Sequence, residues 1–162
     1  MTSTPRPDAA PVPGGPRVAV KAIIVDRARV LLNRYREHDG REVLALPGGG
    51  QERGESQAEA LRRECREEIG ADVAVHDLAC VYETIERVDG TLRFHQVNLA
   101  YWAGLAPGEE PGLGSAPDSR QVGVAWVPIR ELHEHDVRPP ELTDWLLSDP
   151  GARPTGLGVT GA

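Results

Sequence analysis

The apolar positions of the chain fall into short, strongly patterned blocks. Val18 to Val25, VAVKAIIV, is β-branched and nearly continuous, the pattern of a buried strand. Asp26-Arg27-Ala28 reads as a turn, and Val30-Leu31-Leu32 opens a second strand that ends near Tyr35. The polar run 36–41, with Asp39-Gly40, is a loop or hairpin tip. Val43 to Leu46 is a short strand stopped by Pro47 and three successive glycines, Gly48, Gly49 and Gly50. The period then changes: Ala58, Leu61, Cys65 and Ile69 recur at three- and four-residue steps and form one stripe of a helix. Ser56 and Glu59 have the spacing of a capping box, and Gly70 stands where a left-handed helix stop is expected.

Beyond the helix, residues 72–88 and 91–103 read as two long strands joined by Asp89-Gly90, a strong hairpin signal. A Gly/Pro/acidic loop covers 105–121 and is long enough to carry function or disorder. Val122 to Val127 is another strand, stopped by Pro128, and Pro139-Pro140 opens a last helix, Glu141 to Leu147. Periodicity vanishes at both ends. Residues 1–16, with five prolines and two glycines, read as a disordered arm, and 149–162 as a flexible tail. That leaves 17–148 for the fold. Strands interleaved with two helices predict an α+β chain, arranged as an α/β/α sandwich.

Composition narrows the partners. At 162 residues the chain suits one domain, since two would each be too small to bury a core. Its 25 acidic and 18 basic residues leave a formal charge of -7, which argues against gripping nucleic acid through its phosphates. A phosphorylated small molecule stays open if metal cations mediate the contact. With only Cys65 and Cys80, a disulfide framework or a zinc site built from cysteine alone is not supported. No apolar stretch approaches the roughly 20 residues of a membrane span, and MTSTPRPD lacks the apolar core of a secretory signal. The expectation is a cytoplasmic enzyme or binding protein.

The segment Gly48 to Ala71, GGGQERGESQAEALRRECREEIGA, carries the chemistry. At about 100° per residue, Leu61 and Cys65 define the buried face of the helix, and Glu68, Glu64 and Glu67 fall about 20°, 60° and 120° from it on one side. Three carboxylates thus share one flank at the edge of the core. Glu64 and Glu68 form an i,i+4 like-charge pair, which disfavours an isolated helix. A divalent cation removes that repulsion, and oxygen-only ligands point to Mg²⁺ or Mn²⁺ over zinc. The competing reading is a solvated charge-rich face, with Arg62, Arg63 and Arg66 neutralising the glutamates. The glycine run alone decides nothing, and it lacks the Lys-Ser/Thr ending of a P-loop.

Spacing separates the two readings. The segment resembles the Nudix hydrolase family, whose box is G-x5-E-x7-R-E-U-x-E-E-x-G-U with U a bulky aliphatic residue. Gly49, Glu55, Arg63, Glu64, Glu67, Glu68 and Gly70 match all seven fixed letters. Cys65 and Ala71 occupy the two U positions and are smaller than the family's Leu, Ile or Val. The Leu46-Pro47-Gly48-Gly49 lead-in is also similar to the family. The resemblance implies an α/β/α sandwich around a mixed sheet. It further implies Mg²⁺- or Mn²⁺-dependent hydrolysis of a phosphoanhydride in a nucleoside diphosphate linked to another moiety. Carried over by position, the metal ligands are Glu64, Glu67, Glu68 and the Gly48 carbonyl. Glu64 or Glu67 takes the water proton, Arg63 orients a glutamate, and Glu55 supports the loop and helix start. Many small members of the family dimerise, so the resemblance leans towards a homodimer.

Outside the box, family members can draw a general base from a loop beyond the long strands, and here 105–121 offers Glu109, Glu110 and Asp118. Glu83, Glu86 and His95 lie on the long strands, where a structural role competes with a place at the pocket. Tyr35, Tyr82, Phe94, Tyr101 and Trp102 are candidates to stack on a base, although the core needs most of them. The substrate class stays open among nucleotide sugars such as ADP-ribose, nucleoside triphosphates and dinucleotides. A non-catalytic nucleotide sensor is the rival of another class. Degenerate box carboxylates or a DNA-binding module would favour it, and the sequence shows neither.

Overall fold

The computed structural model of the protein describes residues 15–160. The elements run β1 (Arg17–Asp26), β2 (Arg29–Arg36), β3 (Glu42–Ala45), α1 (Gln57–Ile69), β4 (Val73–Val88), β5 (Thr91–Leu105) and β6 (Gln121–Pro128). A 3₁₀ segment (Ile129–Glu134), β7 (Val137–Arg138), α2 (Glu141–Leu147), a second 3₁₀ segment (Pro150–Ala152) and β8 (Gly156–Thr160) complete the chain. No helix of the described residues is long and apolar enough to cross a membrane.

Pairing runs in the order β7-β3-β2-β1-β5-β4-β8, with β6 also on β2. β1·β5, β3·β7 and β4·β8 are parallel and the remaining pairs antiparallel, so the sheet is mixed. Alternation along β1 sends side chains into two cores. Val20, Ala22 and Ile24 pack with Leu61, Cys65 and Ile69 of α1. Ile23 faces the other way, into a core completed by Leu142, Trp145 and Leu146 of α2. A helix on each face of a mixed sheet is the expected α/β/α sandwich.

One edge of β1 is divided in a way that places the site. Only its end pairs with β2, at Val25↔Val30 and Asp26↔Arg29, through a turn in which Arg27 and Ala28 both take positive φ. The rest of that edge accepts the glycine loop. Val20 N donates to Gly49 O at 2.9 Å, Ala22 N to Pro47 O at 2.8 Å, and Gln51 N to Val18 O at 3.1 Å. The proline and glycines therefore stop β3 and then run as an irregular strand against β1, directly before α1.

Local signals placed α1. Ser56 and Glu59 form both halves of the capping box, and Gly70 ends the helix at φ 62°. Asp89 and Gly90 make the β4–β5 turn, both with positive φ.

The closing segment corrects an expectation. Residues 149–162 read as a flexible tail, yet the described part, 149–160, is built into the fold. β8 pairs in parallel with β4 from Val81↔Gly156 to Thr84↔Thr160. The Arg153 guanidinium lies 4.9 Å from the Trp145 ring centre and 5.8 Å from that of Trp102, and donates to the carbonyls of Trp145 and Leu146. Trp145 Nε1 returns a bond to Pro154 O at 2.8 Å. β4 and Trp102 are distant in sequence from this segment, and its glycine-rich composition conceals the pairing. Of the arm expected over 1–16, residues 1–14 lie outside the described residues.

Candidate active site

Arg63 is the organising residue. Its Nε and Nη2 grip the Glu55 carboxylate at 2.7 and 3.0 Å, and Nη2 also donates to Gly50 O at 2.9 Å. Nη1 reaches Glu64 Oε1 at 2.9 Å and Glu67 Oε2 at 3.3 Å. A planar guanidinium has five N–H donors in a fixed fork, and here each has an acceptor. The hydrogen bond with Glu55 is the largest influence raising the Arg63 pKa. The same contact, with the Glu52 N–H, holds Glu55 down at about 2. One cation thus ties the glycine loop, the helix entry and two carboxylates of α1 together.

The three helix carboxylates differ in depth in the order their angular offsets require. Glu68 is 9% exposed, the Glu64 side chain 13% and the Glu67 side chain 36%. Burial pushes the carboxyls of Glu64 and Glu68 upward from the ordinary range. Arg63 opposes the shift at Glu64; Lys21, the Gly48 N–H and Asn33 oppose it at Glu68. Glu68 Oε2 accepts from Gly48 N at 2.8 Å and from Asn33 Nδ2 at 2.7 Å. Glu64 lies against the loop at Gly49, where an added Cβ would stand 2.6 Å from the carboxylate carbon. Gly48 has φ 130°, and a Cβ there would run into the main-chain oxygen of Val20.

The Gly48 carbonyl, expected from the resemblance as a metal ligand, accepts a hydrogen bond from Lys21 Nζ at 2.8 Å. Among the described residues no group of three or more His, Cys, Asp or Glu side chains is gathered closely enough to hold a metal ion. The donor set nevertheless fits a hard divalent cation. Glu64, Glu67 and Glu68 and the Gly48 carbonyl are all oxygen donors on adjoining segments, and burial disfavours leaving the inner two carboxylates charged without a counter-ion. Lys21 and Arg63 supply two positive charges to the four carboxylates of Glu55, Glu64, Glu67 and Glu68.

Residues outside the box are mostly engaged elsewhere. Glu109 accepts from Asp72 N at 3.2 Å, and Asp118 accepts from Arg120 N at 2.9 Å. The loop that carries them docks on the C-terminal end of α1: Gly112 N, Gly114 N and Ala116 N donate to the carbonyls of Ile69, Glu68 and Glu67. A shallow cleft of about 490 Å³ beside this contact is lined by Arg66, Asp72, Glu109 and Leu113. His95 and Glu83 pair with each other at 3.0 Å. Tyr35 and Tyr82 are buried, Tyr101 OH donates to Gln57 Oε1, and Trp102 packs on Trp145. Sequence reasoning passed over Lys21, Asn33 and Gln121. The available signal was a polar residue interrupting an apolar strand, VAVKAIIV for Lys21 and VLLNRY for Asn33.

Known proteins share the fold. The NUDIX domain model matches residues 15–146. A curated ADP-ribose pyrophosphatase of Methanocaldococcus jannaschii is 34% identical over 107 residues, which is 66% of this chain and 60% of that protein. The chain thus spans less than two thirds of that relative's length. A MutT NUDIX hydrolase from Burkholderia pseudomallei is 32% identical, with a TM-score of 0.56 over 72% of this chain and 86% of its own. A NUDIX hydrolase from Nitrosomonas europaea, 21% identical, agrees in fold with a TM-score of 0.68 over 92% of this chain and 81% of its own. A match across most of the chain, a box complete in its fixed letters and a glycine loop seated on the box helix have one explanation: the chain belongs to the NUDIX domain family.

Proposed function

We infer that the chain hydrolyses a phosphoanhydride bond in a nucleoside diphosphate linked to another moiety, with Mg²⁺ or Mn²⁺ as cofactor. A nucleotide sugar of the ADP-ribose type is the first substrate to test, and a nucleoside triphosphate the next. The observation that carries this reading is the Arg63 fork, which holds Glu64 and Glu67 on the helix side of the glycine loop. The name of the archaeal relative supports the substrate class.

In this reading Glu64, Glu67 and Glu68, with the Gly48 carbonyl, hold the metal. A divalent ion held there would supply charge to neutralise pyrophosphate oxygens and would lower the pKa of a water. The protein's own part is position and charge. Arg63 keeps Glu64 and Glu67 aimed, and Glu55 keeps Arg63 in its fork. Glu64 or Glu67 takes the proton from the attacking water. Glu67, the more exposed of the two, is the easier for substrate to reach. Lys21 adds a fixed positive charge beside Gly48. Little more is needed, because phosphoryl transfer depends mainly on positioning and electrostatics. A small-molecule substrate in place of a nucleic acid accords with the acidic charge.

The test is a product-release screen across nucleotide sugars, nucleoside triphosphates and dinucleotides, with Mg²⁺, with Mn²⁺ and with excess EDTA. ADP-ribose should give AMP and ribose 5-phosphate. Glu64→Gln should lower kcat at least about a hundredfold, some 2.7 kcal/mol, with little change in KM. Turnover undiminished in EDTA removes the metal from the mechanism, and no turnover on any substrate favours the non-catalytic sensor.

A further inference from the structure

Behind the box carboxylates lies a buried polar layer that the family pattern does not include. Asn33 sits in the middle of β2 with no exposed surface. Its Nδ2 donates to Glu68 Oε2 at 2.7 Å and to Tyr35 OH at 3.1 Å. Gln121 opens β6 and pairs with Tyr35 in the β2·β6 register, at 6% exposure. Its Nε2 donates to the main-chain oxygen of Glu68 at 2.8 Å. One amide therefore holds the carboxylate of Glu68, and the other, together with Gly114 N, holds its main-chain oxygen. The Gly48 N–H closes on the same Oε2 and ties both to the glycine loop.

The arrangement carries an energetic cost. Asn33 Oδ1 and Gln121 Oε1 are buried and have no hydrogen-bond partner among the described residues. An interior acceptor left unpaired opposes folding, and an apolar side chain of similar volume would avoid that cost. Asn33 follows Val30, Leu31 and Leu32, all fully buried, along β2, and its amide donor meets the Glu68 carboxylate and the Tyr35 hydroxyl. Both amides direct their donors at a single residue, the innermost carboxylate of the site.

We propose that Asn33 and Gln121 are positioning residues, which lock Glu68 by carboxylate and backbone so that it meets the metal in one orientation. The proposal rests on the metal reading given above. Removing either amide takes away one of the contacts that hold Glu68 and leaves the Gly48 and Gly114 N–H groups to hold it less firmly, so metal affinity and rate fall while the fold persists.

The experiment compares Asn33→Leu and Gln121→Leu with the wild type in the full chain. Mn²⁺ affinity is read from the electron paramagnetic resonance signal of the free ion, folding from circular dichroism and thermal melting in EDTA, and kcat and KM on the best substrate of the screen. Both variants should stay folded, bind Mn²⁺ about tenfold or more weakly, and lose about tenfold or more in kcat with KM nearly unchanged. Wild-type Mn²⁺ binding with variants that match it in affinity and kcat overturns the positioning role alone. Failure of both variants to fold makes the amides structural and overturns it equally. A wild type that binds no Mn²⁺ overturns the metal reading itself, and this proposal with it.

Discussion

Gly49 and Glu64 occupy one another's space: a Cβ at position 49 would stand 2.6 Å from the carboxylate carbon of Glu64. The glycine is needed there for side-chain room, and its neighbour Gly48 for a positive φ. The two substitutions therefore have different consequences. At Gly49 the obstacle is the end of a flexible side chain, which can swing away.

Gly49→Ala should fold with a melting temperature close to wild type while kcat drops about tenfold or more, because Glu64 leaves Arg63 and the loop. Gly48→Ala should lose stability as well, since its Cβ meets main chain. Melting curves and steady-state kinetics on both variants check the contrast. Equal stability losses would show that Gly49 serves the backbone only.

The pH dependence of the metal-free protein tests the burial of Glu68. A carboxyl whose folded pKa is raised above its unfolded value stabilises the fold fully below the unfolded value. That contribution is lost as pH rises through the folded one. Glu68→Gln keeps an acceptor for Gly48 N and Asn33 but cannot ionise. In EDTA the variant and wild type should be similar near about pH 4, with the variant gaining steadily towards about pH 7. Melting temperature against pH for both proteins is the measurement. A difference that stays flat would mean that Glu68 is not held in a raised state.

Arg153 is the clasp of the closing segment. Arg153→Ala removes two ring contacts and two hydrogen bonds to carbonyls, and should cost about 1–2 kcal/mol. Denaturant unfolding measures the loss directly. Activity per folded molecule should be unchanged, because none of these contacts reaches α1 or the glycine loop.

The two thiols should be silent in the native state. Burial pushes Cys65 up to about 12 and Cys80 up to about 11, and both side chains are fully buried. A thiol-reactive chromogenic disulfide should label neither at about pH 8 until denaturant is added, when both react. Rapid labelling of Cys65 in the folded protein would show that α1 opens from its core.

What the sequence determined by itself was local. Ser56 and Glu59 close the start of α1, and Gly70 ends it, through contacts within a few residues. Asp89-Gly90 turns β4 into β5 for the same reason. The 3.6-residue period ordered Glu68, Glu64 and Glu67 by depth, since a helix is rigid enough for angle to become burial. The box spacing named the family, and with it the sandwich. Tertiary structure decided the contacts that join distant segments. Lys21 meets Gly48 across 27 positions, Asn33 meets Glu68 across 35, and Gln121 meets it across 53. Strand register sets those meetings, and no short-range pattern encodes it. The closing strand was hidden for the same reason. GLGVT has little pattern of its own and becomes a strand because β4 offers it an open edge and the paired tryptophans hold Arg153 in place.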